Sequence, residues 1–248
     1  MKIVASIQAR MSSSRLPGKV MKEVAGRPIL WWQINRMRHS LLLDEIIVAT
    51  STNPADDVIA KFCSEQNIKC FRGPEEDVLE RICGLIRKYS VDLHVETFGD
   101  SPLVDSEILD RLVGCFLKER NQNDFVTNAY DCGFPAGADL NVYLGKTLLS
   151  INEELSACNQ NREHVGYNIM KSEKYKIKKI KAPDYLRAPD LFIEIDTPKD
   201  FEVVSQIIEY FAHKSMLYFS TQMIIEFLRN KPELANYNKN IERRWAKL

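Results

Sequence analysis

The feature that most constrains the fold is a rhythm. Short apolar runs alternate with longer stretches that carry a helical stripe. Residues 3–7 (IVASI), 45–50 (EIIVAT), 69–72, 93–98 (LHVETF) and 124–127 read as strands. Residues 29–39, 76–89 and 105–120 read as helices, the last with Ile108, Leu109, Leu112, Val113, Phe116 and Leu117 on one face. A further helix starts at Asn53-Pro54-Ala55-Asp56, where a capping Asn precedes Pro and an acid, and runs to about residue 66, burying Val58, Ile59, Phe62 and Cys63. Strands alternating with helices of ten or more residues predict a doubly wound α/β sheet with right-handed crossovers.

Regularity weakens from 128 to 190. That region holds a Gly/Pro-rich turn (DCGFPAGAD), a strand at 141–143, a helix near 146–156, and a lysine-rich segment around 171–182. In the last, Tyr175, Ile177 and Ile180 alternate with lysines, as in an edge strand guarded by charge. We expect one domain over 1–248, in which 128–190 forms a substrate-side or dimerisation lobe. A strand at 191–195 and helices to about 213 and over 221–229 follow, and the tail from 230 is expected to pack loosely.

Lys+Arg and Asp+Glu balance at 34 each, so charge favours neither nucleic acid nor an anionic membrane. No apolar run approaches the ~20 residues that span a bilayer. The chain enters a strand with no leader-like segment, so a cytoplasmic location is expected. The six cysteines are scattered without metal-ligand spacing.

The chemistry concentrates where strands end. Residues 7–19 (IQARMSSSRLPGK) follow the first strand and place Arg10, Arg15, Lys19 and three serines, Ser12 among them, before and around a Pro-Gly turn. Backbone amides, hydroxyls and fixed cations at the carboxyl end of a strand suit a polyphosphate. Asp100 and Asp196 each follow a predicted strand and precede a hydroxyl residue and Pro; Thr197-Pro198-Lys199-Asp200 reads as a capping box. Ligands of open α/β sheets bind at that edge. Paired carboxylates facing a triphosphate imply Mg²⁺, held by Asp100 and Asp196, and point to phosphoryl or nucleotidyl transfer.

These residues resemble a known family. The opening Q-A-R-x-x-S-x-R-L-P-G-K of residues 8–19 with Gly26-Arg27-Pro28 after it, Asp44 to Ser51, Arg72-Gly73, Asp77-Val78-Leu79-Glu80-Arg81, Gly99 to Asp105, Arg162-Glu163-His164-Val165 and Asp196 to Phe201 are similar to the SpsF-like cytidylyltransferases, relatives of the CMP-Kdo and CMP-sialic acid synthetases. The resemblance implies a Rossmann-like, mixed but mainly parallel sheet of glycosyltransferase-A type, usually in a homodimer. It implies CTP, Mg²⁺, and an acceptor oxygen that attacks the α-phosphorus and displaces pyrophosphate. By motif, Arg10, Ser12, Arg15 and Lys19 hold the triphosphate; Arg72, Gly73 and Asp77 lie near base and ribose; Asp139, Asn141, Arg162 and His164 face the acceptor. The acceptor is an acidic sugar or related surface-glycan precursor, or alternatively a phosphate- or phosphonate-bearing molecule. The rival readings are a nucleotide-sugar transferase on the same sheet and a non-catalytic nucleotide binder. The sequence departs from the family at Asn141, where Glu is common, at Gly166-Tyr167, where Thr-Pro is frequent, and at Glu194, where Thr is usual.

Overall fold

The computed structural model describes residues 1–120, 122–129, 131–156, 160–163 and 165–243. The chain opens with β1 (Ile3–Gln8), a loop, and a small hairpin of β2 (Glu23–Val24) and β3 (Arg27–Pro28) leading into α1 (Ile29–Met37). Then follow β4 (Glu45–Ser51), α2 (Asp57–Glu65), β5 (Lys69–Gly73), α3 (Val78–Tyr89), β6 (Leu93–Phe98), α4 (Ser106–Lys118) and β7 (Phe125–Thr127). The second half comprises β8 (Asn141–Leu144), α5 (Gly145–Glu154), α6 (Val165–Lys171), β9 (Ile177–Lys179), α7 (Pro198–Ala212), α8 (Thr221–Arg229) and α9 (Pro232–Tyr237).

Among the described residues, seven strands form one sheet in the order β5-β4-β1-β6-β8-β7-β9. Pairings β4–β5, β1–β4, β1–β6 and β7–β9 are parallel, while β6–β8 and β7–β8 are antiparallel. The expected mixed, mainly parallel sheet is therefore present. Side chains alternate along each strand, so β1 sends Ile3, Ala5 and Ile7 into one core and Val4 into the other. Residues of α1, α2, α4, α7 and α8 fill the first core; those of α3, α5 and α6 fill the second.

Several local expectations change. Asn53 does accept the Ala55 N–H, but residues 54–56 form a 3-10 turn before α2, and Val58 is exposed on the outer face rather than buried. Residues 128–190 are threaded through the main sheet, because β8 lies between β6 and β7, and β9 forms the lysine-bearing edge. Residues 191–195 pair with no strand ladder; they run extended, with a single bridge from Phe192 to Ala136. The tail is also not loose throughout: α9 forms, and Leu234, Asn238 and Arg243 are buried.

Candidate active site

The carboxyl ends of β1 and β6 are adjacent, since Gln8 pairs with Phe98 and the Gly99 N–H bonds the Gln8 carbonyl at 2.9 Å. The loop after β1 is shaped by its own backbone: the Met11 carbonyl accepts from both Ser13 and Gly18. Gly18 adopts φ +69, a left-handed conformation that a side chain would strain, and so lets Lys19 turn back into the sheet edge. Asp196 arrives from a distant part of the chain because the Ile195 N–H bonds the Asp100 carbonyl at 2.7 Å.

Four of the predicted residues meet here. The Lys19 ammonium lies 3.3 Å from Asp100 Oδ2, 3.2 Å from Asp196 Oδ1 and 2.6 Å from the Ile195 carbonyl. Arg15 Nη2 stands 2.6 Å from Asp196 Oδ2, and its Nη1 reaches the Glu242 carbonyl at 3.3 Å. Neither acid is spent as a helix cap. Asp105, not Asp100, caps α4 by accepting from Glu107, and Thr197 with Asp200 forms the capping box of α7.

Two carboxylates converging on one ammonium mark a point where positive charge is favoured. Magnesium takes one or two carboxylates and completes its shell with phosphate oxygens and water. Among the described residues, no three or more His, Cys, Asp or Glu side chains are arranged to hold a metal ion by themselves. The donor set thus fits a cation that arrives with a polyphosphate, provided that Lys19 swings away from the acids.

The first half of the loop turns elsewhere. Arg10 Nη1 donates to the Glu75 carbonyl at 2.8 Å, and Ser12 Oγ donates to Glu75 Oε1 at 2.9 Å. Glu75 also accepts from Asn53, and these hydrogen bonds hold its carboxyl below the usual range. Asp56 accepts the Met11 N–H at 2.7 Å from a site 1% exposed. Residue order gives Asp56 only a place in a helix start and Glu75 no role, because their loop partners lie tens of residues away, without a local spacing to betray them.

Arg72 points its guanidinium at the end of β4, bonding the carbonyls of Ser51 and Asn53 and pairing with Asp57. Gly73 packs against Arg81, whose Cγ would lie 2.9 Å from an added Cβ. Asp77 caps α3 through the Glu80 N–H and pairs with Arg162 at 2.8 Å. Arg162 further donates to the Leu155 carbonyl and to Asn152 Oδ1, so this side chain, 7% exposed, is committed to protein partners. His164 lies outside the described residues. Glu194, the candidate for a third carboxylate, stands 3.2 Å from Arg243.

The sequence profile of the cytidylyltransferase family matches residues 4–243. The chain belongs to the cytidylyltransferase family. One family relative is the spore coat polysaccharide biosynthesis protein SpsF of Bacillus subtilis, 29% identical over 238 residues, covering 94% of this chain and 96% of that protein. A solved cytidylyltransferase from Leptospira borgpetersenii serovar Hardjo-bovis superposes with a TM-score of 0.86 at 29% identity, covering 98% of this chain and 99% of that one. The CTP complex of CMP:2-keto-3-deoxy-manno-octonic acid synthetase shares the fold, with a TM-score of 0.65 at 16% identity over 85% of this chain and 99% of that one. No described helix is long and apolar enough to cross a membrane.

Two of the departures from the family pattern meet in the structure. Asn141 faces Glu96 across the β6–β8 pair and donates to its Oε2 at 2.9 Å. Gly166 bonds the same carboxyl through its N–H, and a Cβ there would stand 2.5 Å from Glu96 Oε2. Gln8 donates to Oε1 at 3.0 Å, and Thr127 Oγ1 bonds Asn141 Oδ1 at 2.8 Å. A buried carboxyl, glycine in place of a bulkier residue, and an amide in place of an acid therefore form one arrangement. Burial lifts Glu96 to about 7 despite the donors from Asn141 and Gln8. Desolvation, with Asp100 adding to it, likewise lifts Asp139 to about 7.

Between its ordinary 4.5 and about 7, the folded protein keeps a Glu96 proton that the unfolded chain has released. Stability contributed by this group falls as pH rises through that window. His94, pushed down to about 3 by burial, acts in the opposite sense, because only the unfolded chain binds its proton between about 3 and 6.5. Glu96→Gln should make Tm rise more steeply between pH 5 and 7 than in the wild type. Calorimetry at half-unit steps checks this; parallel profiles would contradict the buried-proton assignment.

Proposed function

We propose that this chain transfers CMP from CTP to an acidic sugar or related surface-glycan precursor and releases pyrophosphate, with Mg²⁺ as cofactor. The observation that carries the reading is the meeting of Arg15, Lys19, Asp100 and Asp196 at one edge of the sheet. Family membership supports the nucleotide, and the SpsF relative supports an acceptor from polysaccharide synthesis.

In this reading the loop of residues 9–19 receives the triphosphate. Lys19 and Arg15 leave their carboxylates and turn to the β- and γ-phosphates, where charge develops as pyrophosphate departs. Asp100 and Asp196, released from the cations, would hold the metal, and the metal would supply neutralisation of phosphate charge. Asp139, with its carboxyl near neutrality and close enough to sense Asp100, faces the acceptor side. A proton leaving the acceptor hydroxyl needs a group of about this pKa. The same reading takes the enzyme to work as a homodimer, which its mass in solution reports.

Each nucleoside triphosphate, incubated with Mg²⁺ and a panel of 2-keto acid sugars and phospho-acceptors while pyrophosphate is followed, tests the reading. The expected result is release with CTP and an acid sugar. Release with a different nucleotide only, or with none, would overturn it.

A further inference from the structure

The C-terminal tail reaches the paired acids from behind. Asn238, 1% exposed, donates to the Phe192 carbonyl at 3.1 Å and to Asp200 Oδ1 at 2.9 Å. Five residues on, Arg243 is 5% exposed and places its guanidinium over the Phe192 ring at 4.7 Å. Its Nη2 donates to Asp200 Oδ1 at 2.8 Å and to the Asn238 carbonyl at 3.1 Å, while Nη1 stands 3.2 Å from Glu194 Oε1.

These partners flank Asp196 on both sides in sequence. The other oxygen of Asp200, Oδ2, accepts the backbone N–H of Asp196 at 3.2 Å and of Thr197 at 2.8 Å. Arg243 thus grips one oxygen of a carboxylate whose other oxygen holds the backbone of Asp196. The residue before it, Glu242, offers its carbonyl to Arg15.

Charge makes the grip consequential. Asp100, Glu194, Asp196 and Asp200 crowd one end of the sheet, and Arg15, Lys19 and Arg243 answer them. Arg15 and Lys19 are the cations assigned to the triphosphate, so Arg243 alone of the three stays with the acids throughout. A buried carboxylate pair left without its guanidinium repels or protonates, and either outcome moves the backbone that aims Asp196.

We infer that the tail completes the nucleotide site, with Arg243 a positioning residue for Asp196 and the Glu242 carbonyl an orienting contact for Arg15. The inference rests on the cytidylyltransferase reading for its ligand but not for its geometry. If the tail and ligand site are coupled, linkage requires that each stabilise the other by the same factor.

Hydrogen exchange on the ligand-free full chain tests the geometry. Arg243→Ala should speed exchange of the Asp196 and Thr197 amides by about 10-fold while β6 amides stay unchanged. Arg243→Lys, which keeps a charge in place, should recover part of that protection, and it serves as the variant if alanine does not fold. Calorimetric titration with Mg²⁺–CTP tests the consequence: affinity should fall about 10-fold in Arg243→Ala, and ligand should slow exchange at 238–243 in the wild type. Arg229→Ala, which breaks an exposed pair with Asp190, is the control and should leave both readouts unchanged. Unaltered exchange at Asp196 and Thr197 would overturn the inference. So would normal Mg²⁺–CTP affinity in a folded Arg243→Ala protein. A wild type that binds no CTP would instead sink the nucleotide reading, and the exchange experiment would still decide the tail's role.

Discussion

Lys19→Met is expected to slow CMP transfer by roughly 10²–10³-fold, the usual cost of removing one preorganised group aimed at developing charge. The same variant should bind a divalent cation more tightly before any nucleotide arrives. In the free protein the ammonium occupies the point toward which Asp100 and Asp196 converge, at 3.3 and 3.2 Å. An incoming cation must displace it, and methionine of similar length leaves that point open. Slower turnover with tighter cation binding is a pairing that simple unfolding cannot produce. Paramagnetic Mn²⁺ titration without nucleotide, beside steady-state pyrophosphate release, reads both halves. If Lys19→Met loses cation affinity, the ammonium does not compete for that point.

The two acids should differ on replacement in a way their partners dictate. Asp100→Ala removes a carboxylate that is 34% exposed and that, among the described residues, pairs with Lys19 as its one cation. Turnover should drop by at least ~10³-fold with Tm almost unchanged, because the surrounding solvent takes over what little pairing is lost. Asp196→Ala removes a carboxylate, 14% exposed, that holds Arg15 at 2.6 Å as well as Lys19. Activity should fall as far, and the loop of residues 9–19 should also loosen, since among the described residues Arg15 keeps its contact with the Glu242 carbonyl but loses its carboxylate. Thermal melts and proteolysis between Met11 and Lys19 distinguish the pair. Equal loosening in both variants would mean that Asp196 does not anchor the loop.

Much of this was legible from residue order, for physical reasons. β6 and α8 fall at their expected bounds, because a short apolar run and an amphipathic stripe with a serine cap are local signals. The loop cations and the two acids were legible because strand ends in an open α/β sheet share one edge. The ladder expected at 191–195 did not form, since the segment runs as a connector between Ala136 and Asp100, making two backbone bonds to the first and one to the second. Glu75, Glu96 and Arg243 were invisible for a different reason. Each takes its meaning from a partner tens of residues away: Ser12 for the first, Asn141 for the second, Asp200 for the third. The folded chain likewise commits Arg162 to Asp77, two motif residues that sequence alone gave to different ends of the crevice.

Gly137 carries a consequence for how substrate preference can change. At φ +96 it presses its backbone against the 193–194 segment so closely that an added Cβ would lie 2.5 Å from the Glu194 nitrogen. Two residues further stands Asp139, and two beyond Glu194 stands Asp196. The two halves of the crevice, which the proposed function gives to acceptor and nucleotide, are therefore welded at this backbone crossing. Lengthening or reshaping the 133–140 loop would drag Asp196 with it. New acceptors are reached more cheaply by exchanging side chains on a fixed frame than by rebuilding the loop that presents them.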